Sequence, residues 1–385
     1  MISNDLLKLI QIPGQLLTAL GLWPLKQPSA TYRLRTSLTF ATITLLATCL
    51  TINALYRITD FLQLSKSLYL LISVSLSIMK ITVLLLKEDA LFVILELLNK
   101  PSFLSYLPKY SQHLQGTYRA FRIFTPVYIG HVIVFLILLC IFPSLEGKRL
   151  PLDFPFFNYG PYYYPFYAFE VFGTAVSALA NVSMDVFTLV LISISTVQLR
   201  ILNNKLVDTD RHSNVYVSET DVNYVELSTV KYLSECCIHF SDIENFATLT
   251  EKFVSTIIFF QLGASVVAIC NSCIMILSVE AFSTQSIAII IYLNSMFAEL
   301  GMYCYFGNEL YLQSMEIHQS CYFSKWYDRG SAVKKILFIL MERTKRPLQM
   351  KGCNFIALSA TTFVSILKWS YSYFTLLRNT MQESN

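Results

Sequence analysis

The chain of 385 residues is 54% hydrophobic and only 14% charged, with a net charge of +4 and a mean hydropathy of +0.52. A soluble chain carries about 25% charged residues, so this composition excludes a soluble protein and indicates an all-α integral membrane protein. The small net charge, with no basic run carrying interleaved aromatics, excludes nucleic acid as a partner.

In chain order, the N-terminal stretch "MISNDLLKLIQIPGQLLTALGLWP" is too interrupted for a secretory signal. Asp5 and Lys8 break the apolar run, and Pro13-Gly14 follows. Residues 1–35 are expected to form an amphipathic segment lying on the membrane and stopped by Gly21-Leu22-Trp23-Pro24. Seven stretches of roughly 20 or more apolar residues then follow, each long enough to cross a bilayer. They fall near 36–57, 64–86, 124–145, 166–198, 253–279, 285–310 and 353–377. The fourth loop is helix-patterned from Ser218 to Phe246, with Val222, Val225, Leu233, Cys237 and Phe240 on one face. Inner helices of this kind are expected to pack below the membrane as a subunit-contact region.

Lys and Arg set the orientation. Of 29 such residues, 22 fall in the N-terminal segment and the second, fourth and sixth loops, and five on the opposite side. Lys80 and Lys368 lie inside spans. The asymmetry predicts a cytoplasmic N-terminus and an extracellular C-terminus, the reverse of a G-protein-coupled receptor.

Charge inside a span is costly. For Lys80, Asp185 and Glu299 the favoured expectation is a side chain that snorkels to the cytoplasmic face; an interhelical pair is the alternative. The sequon Asn181-Val182-Ser183 lies within the fourth span, out of reach of a glycosylating enzyme. The aromatic, Pro-rich outer loop from Phe154 to Tyr167 reads either as an interfacial belt or as a semi-rigid lid over a cavity. Cys270 and Cys273 form a lone CxxC in an apolar run, and the five histidines lack metal-ligand spacing. No phosphate loop, HExxH or nucleophile elbow is present, so neither an enzyme nor a cofactor is expected.

The last span differs from the others. Thr361, Ser365, Lys368, Ser372, Thr375 and Asn379 recur at alternating steps of four and three, one continuous polar stripe on a helix. Packing of small hydroxyls against a neighbouring helix explains Thr361, Ser365 and Ser372. A full-length seam that includes Lys368 is better explained by a water-filled pore on an oligomer axis.

From Tyr303 onward the chain carries Tyr303-Cys304, Gly307-Asn308, Ser314, Trp326-Tyr327, Lys334-Lys335, Met341, Arg343 and Pro347. It closes on Leu358-Ser359, Phe363, Leu367-Lys368 and Ser370 to Phe374. This pattern closely resembles the C-terminal region of the insect odorant receptors. Weaker matches lie in "GLWP", "LPLDFPF" and "YYPFYAFE". The Gln that follows Thr-Tyr in the related gustatory receptors has no counterpart after Ser370-Tyr371, and the fourth loop lacks the large insertion of the family's shared co-receptor.

The resemblance implies a ligand-tuning subunit in the plasma membrane of sensory neuron dendrites. It implies partnership with the co-receptor in a tetrameric, nonselective cation channel opened by a small volatile ligand. The alternatives are a gustatory-type channel or a seven-helix receptor acting through a partner protein. On this reading, 36–310 is a six-helix ligand-binding bundle with intracellular helical loops and 311–352 an intracellular anchor helix. Residues 353–385 are then the pore-lining seventh helix and a short extracellular tail. The resemblance places the ligand in the outer halves of spans two, three, four and six. Depth and spacing there select Tyr69, Ser73 and Leu76; Phe135 and Leu138; Ala175 and Leu179; and Tyr292 and Met296, with ordinary helix packing the alternative at each. It makes Ser365, Lys368, Ser372 and Thr375 pore-lining, with Leu376 the closing ring and Asn379 the polar amide one turn beyond.

Overall fold

The computed structural model describes residues 3–59, 61–104, 110–145, 162–209, 222–280, 283–324 and 326–383. Nearly all of it is helix: α1 (Ser3–Ala19), α2 (Ala30–Tyr56), α3 (Phe61–Leu86), α4 (Glu88–Leu97), α5 (Pro101–Leu104), α6 (Ser111–Leu145), α7 (Tyr163–Val207), α8 (Val222–Ser278), α9 (Thr284–Phe323), α10 (Ser331–Arg343) and α11 (Ala360–Glu383). A hairpin of β1 (Lys351–Gly352) and β2 (Ile356–Ala357) precedes α11.

Among the described residues, six helices are long and apolar enough to cross a membrane: α2, α3, α6, α7, α8 and α9. The polar seam keeps α11 out of that group. Two helices outrun a bilayer. At about 1.5 Å per residue, the 45 residues of α7 and 57 of α8 extend roughly 68 and 86 Å, against a hydrocarbon core of about 30 Å. The helix-patterned fourth loop is therefore no separate unit from Val222 onward: it continues unbroken into the fifth span. Leu233, Cys236, Phe240, Ile243 and Phe246 bury its inner stripe.

The core follows α7. From Ala180 to Leu199 every residue is buried, because α1, α2, α3, α6, α8 and α9 all pack around it. Enclosed by protein on all sides, this stretch buries polar side chains such as Asp185 and Gln198 along with its apolar ones.

Helix α1 turns its apolar stripe inward: Leu6, Leu9, Ile10 and Leu17 are buried against α6 and α7. Pro13 is accommodated inside the helix. The stop after it is a Schellman motif: Gly21 has φ +75, Leu22 N donates to Leu17 O at 2.7 Å and Gly21 N to Thr18 O at 3.1 Å.

The start of the last helix is displaced from its predicted position at residue 353. Cys353 and Asn354 both adopt positive φ, which turns the chain into the hairpin, and Phe355 N donates to Gly352 O at 3.0 Å. Gly352 lies flat on α8, where a Cβ would stand 2.9 Å from Phe259 N. Ser255 on α8 donates to Lys351 O at 2.9 Å and accepts from Cys353 N at 2.8 Å. Helix α11 begins only at Ala360, with Ser359 Oγ accepting from Thr362 N at 3.1 Å.

Candidate functional site

Four helices enclose a cavity of about 80 Å³ in the half of the bundle towards the α3 N-terminus. Leu70, Ser73, Val74 and Ser77 line it from α3; Tyr128, Val132 and Phe135 from α6; Thr174, Ser177, Ala178, Asn181 and Val182 from α7; Tyr292, Ser295 and Met296 from α9. A second hollow of about 50 Å³ lies on the other side of Phe135, bounded by Tyr69, Leu138, Leu139, Met275 and Ile289.

Of the sequence-selected residues, Ser73, Phe135, Tyr292 and Met296 thus meet at the first hollow, and Tyr69, Phe135 and Leu138 at the second. Tyr292 ties them together. Its hydroxyl shares a hydrogen bond with Ser73 Oγ at 2.9 Å and donates to Tyr69 O at 3.0 Å, while its ring meets the Tyr69 ring edge-on at 5.2 Å. Leu76 instead lines an outward-facing groove of about 700 Å³ between α3 and α8. Ala175 and Leu179 are half-buried beside the lining, which α7 supplies from Thr174 and Ala178. On α7 the lining residues Thr174 and Ala178 each lie one position before Ala175 and Leu179. A polar stripe at Thr174, Ser177 and Asn181, at steps of three and four, was the available signal.

Below the cavity lies a buried ionic cluster. Lys80 Nζ donates to Asn181 Oδ1 at 2.8 Å, to Glu299 Oε1 at 3.3 Å and to Asp185 Oδ1; Tyr303 donates to Asp185 Oδ1 at 2.7 Å. Lys80, Asp185 and Glu299 are each 0% exposed. Snorkelling is therefore overturned in favour of the interhelical pair. At this depth only direct partners from α7 and α9 offset the loss of water around the ammonium. His131 on α6 is hydrogen-bonded to Ile291 O at 3.1 Å. Tyr163, Tyr164 and Tyr167 pack against one another in the first turn of α7, and Tyr167 donates to Cys140 O at 2.8 Å; residues 154–161 of the aromatic loop lie outside those described.

Helix α11 packs by one face only. Ile366 and Ser370 are buried, Phe363 and Leu367 half-buried, against α8 and α9. The seam points away: Thr361, Lys368, Ser372 and Asn379 are exposed, Ser365 and Thr375 half-buried. Ser365 donates to Thr361 O at 2.9 Å, Ser372 to Lys368 O at 3.0 Å and Thr375 to Ser372 O at 2.8 Å. With their protons held by the helix backbone, these hydroxyl oxygens keep lone pairs for water or a cation. Leu376, 59% exposed, stands at the edge of an open apolar groove of about 920 Å³ with Trp369, Tyr373, Val266 and Ile274.

Helix α9 joins the two regions. Its N-terminal half supplies Tyr292 and Met296 to the cavity; further along, Gly307 and Asn308 hold the foot of α11. A Cβ on Gly307 would fall 2.2 Å from Leu358 Cβ, and Ala360 N donates to Asn308 Oδ1 at 3.4 Å. Ser314 Oγ accepts from Leu348 N at 2.8 Å. The sequence signature from Tyr303 to Ser314 is thus a set of contacts that seat the last helix and close the ionic cluster.

The family model described as 7tm Odorant receptor matches residues 60–371. Odorant receptor 94a of Drosophila melanogaster is 22% identical over 61% of this chain and 59% of its own length. Odorant receptor 46a, isoform B, of the same species is 30% identical over 38% of this chain and 39% of its own. Odorant receptor Or2 of Anopheles gambiae is 24% identical over 57% of each. The chain thus spans about half the length of the curated relatives it matches. Among solved structures, the olfactory receptor OR5 from Machilis hrabei in complex with eugenol superposes with a TM-score of 0.86 at 16% identity, over 99% of this chain and 100% of that one. That likeness establishes the fold.

Proposed function

The chain belongs to the odorant receptor family, and on that premise we propose that it is the ligand-tuning subunit of an odorant-gated, nonselective cation channel. It crosses the plasma membrane of an olfactory sensory neuron seven times, with α11 as the seventh span and the N-terminus inside. It assembles with the co-receptor as a tetramer whose axis the α11 helices line. The observation that carries this reading is the one-sided packing of α11. Its apolar face is buried in its own subunit while Thr361, Lys368, Ser372 and Asn379 face outward. Lipid offers such a seam no hydrogen bonds; a water-filled axis does.

The volatile ligand occupies the hollow around Ser73, Phe135, Tyr292 and Met296, a mostly apolar, enclosed site of the kind small apolar molecules need. A ligand larger than this hollow of about 80 Å³ displaces Phe135 or Met296 on binding and bears on α9. Because α9 also grips Leu358 and Ala360, a shift there reaches the pore helix directly. Eugenol in the solved relative supports a small organic ligand for this chain as well. The deciding experiment records ligand-evoked currents from cells expressing this chain with and without the co-receptor. Currents are expected only with both; robust odorant currents from this chain alone overturn the subunit assignment.

A further inference from the structure

Resting on that reading of the cavity, we infer that its ligands carry a hydrogen-bond-accepting oxygen, as ketones, aldehydes or esters do, and that Thr174 and Asn181 are the donors that select it. Thr174 and Asn181 each offer this small space a donor without an acceptor. The hydroxyl of Thr174 is buried and makes no hydrogen bond. It forgoes even the bond to the carbonyl four residues back that Ser183, Ser193 and Thr196 make on the same helix.

Asn181 is fixed by its neighbour. An ammonium only donates, so Lys80 Nζ at 2.8 Å holds the amide oxygen of Asn181. The amide flip is thereby settled, and the Nδ2 group is left on the other branch with no acceptor among the described residues.

Of the remaining polar groups of the lining, the serines and Tyr292 are already engaged, while the Tyr128 hydroxyl is a further donor with no acceptor among the described residues. Ser177 donates to Ser77 Oγ at 3.1 Å, Ser77 to the carbonyls of Ser73 and Ser177, Ser295 to Ile291 O at 3.0 Å, and Tyr292 pairs with Ser73 and Tyr69. The cavity therefore has a surplus of donors, and a hydrocarbon entering it strands them in a mostly apolar lining. An oxygenated ligand satisfies one of them while its alkyl body lies on Leu70, Val74, Val132 and Phe135. Loss of one buried donor–acceptor bond to a neutral ligand changes affinity roughly tenfold.

The test measures dose-response curves for a homologous series of aliphatic ketones and acetate esters, beside alkenes of matched size, with the channel assembled from both subunits and surface expression quantified. In the wild type the oxygenated compounds are expected to be more potent than their hydrocarbon matches. Thr174→Val removes the hydroxyl at constant shape and should erase roughly tenfold of that preference, with the hydrocarbons unmoved; Thr174→Ser should restore it. Phe135→Ala is the control for the cavity itself and should shift both classes together. If Phe135→Ala shifts potencies but Thr174→Val leaves the ratio between classes unchanged, the donor assignment is wrong. The same holds if hydrocarbons are the better wild-type agonists. If Phe135→Ala moves no potency at normal expression, the ligand binds elsewhere and the cavity reading falls with it.

Discussion

Gly307 and Leu358 are in such close contact that no side chain fits between them: a Cβ on Gly307 would lie 2.2 Å from Leu358 Cβ and 3.0 Å from its carbonyl oxygen. Alanine is favoured over glycine in a helix by about 0.5–1 kcal/mol. Overpacking here costs about 1–3 kcal/mol, so Gly307→Ala should be net destabilising. Thermal unfolding of the detergent-solubilised protein should show a lowered midpoint. Gly130→Ala, with open space at the same point, should leave the midpoint level or raise it. Equal behaviour of the two variants contradicts the close approach.

The Lys80 cluster should behave as a unit. Lys80→Met strands two buried carboxylates and should cost about 3–5 kcal/mol, seen as loss of folded protein at the surface. Adding Asp185→Asn should recover part of that loss, because one stranded charge is removed. A double-mutant cycle checks this; strictly additive losses mean that the two residues do not share one interaction.

Rotation of α7 makes a sharp distinction between neighbours. Ala178 lines the hollow, Ala175 stands beside it. Ala178→Leu should fill much of the cavity and lower ligand potency at unchanged surface expression, whereas Ala175→Leu should alter it little. The reverse ranking in dose-response curves places the ligand on the other face of α7.

At the last helix, Leu376 is exposed and Leu367 packs inward. A ring of aliphatic side chains closes a pore by excluding water. Leu376→Ser should therefore raise current in the absence of ligand or alter ion selectivity, while Leu367→Ser should mainly reduce expression. Normal expression of Leu376→Ser with unchanged resting current and permeability moves the gate to another turn.

The distribution of Lys and Arg predicts which ends are reachable from outside. Epitope tags on the two termini, stained before and after permeabilisation, should reveal the C-terminal tag on intact cells and the N-terminal tag only after permeabilisation. An N-terminal tag visible on intact cells inverts the whole orientation.

Apolar stretches were legible because their length and period are set by the chain alone: α2, α3, α6, α7, α8 and α9 each contain one of the expected spans. What α1 and Lys80 touch was not legible. A buried stripe such as Leu6-Leu9-Ile10-Leu17 looks the same whether lipid or α7 covers it, and a lysine near a helix end gives no sign that Asp185 and Glu299 converge on it from two other helices. The cavity was half legible for a related reason. Depth follows from counting residues along a span, but the rotation that brings Thr174 and Asn181 to the lining, in place of Ala175 and Leu179, depends on packing against helices far away in sequence.

The hairpin at Lys351–Ala357 turns α11 into a lever with one fixed end. Ser255, the flat contact of Gly352 on Phe259 and the grip of Gly307 on Leu358 all clamp its foot, and the C-terminal turns carry exposed side chains from Tyr371 to Tyr373 and again at Leu376. Displacement under a tilt then grows with distance from the clamp. Leu376 stands roughly 24 Å beyond Ala360 at about 1.5 Å per residue, so a tilt of about 5° carries it about 2 Å sideways while Thr361 barely moves. Under the proposed function, such a lever converts a small adjustment at the clamp into its largest travel near Leu376, where a hydrophobic ring would need only a few ångströms to admit water.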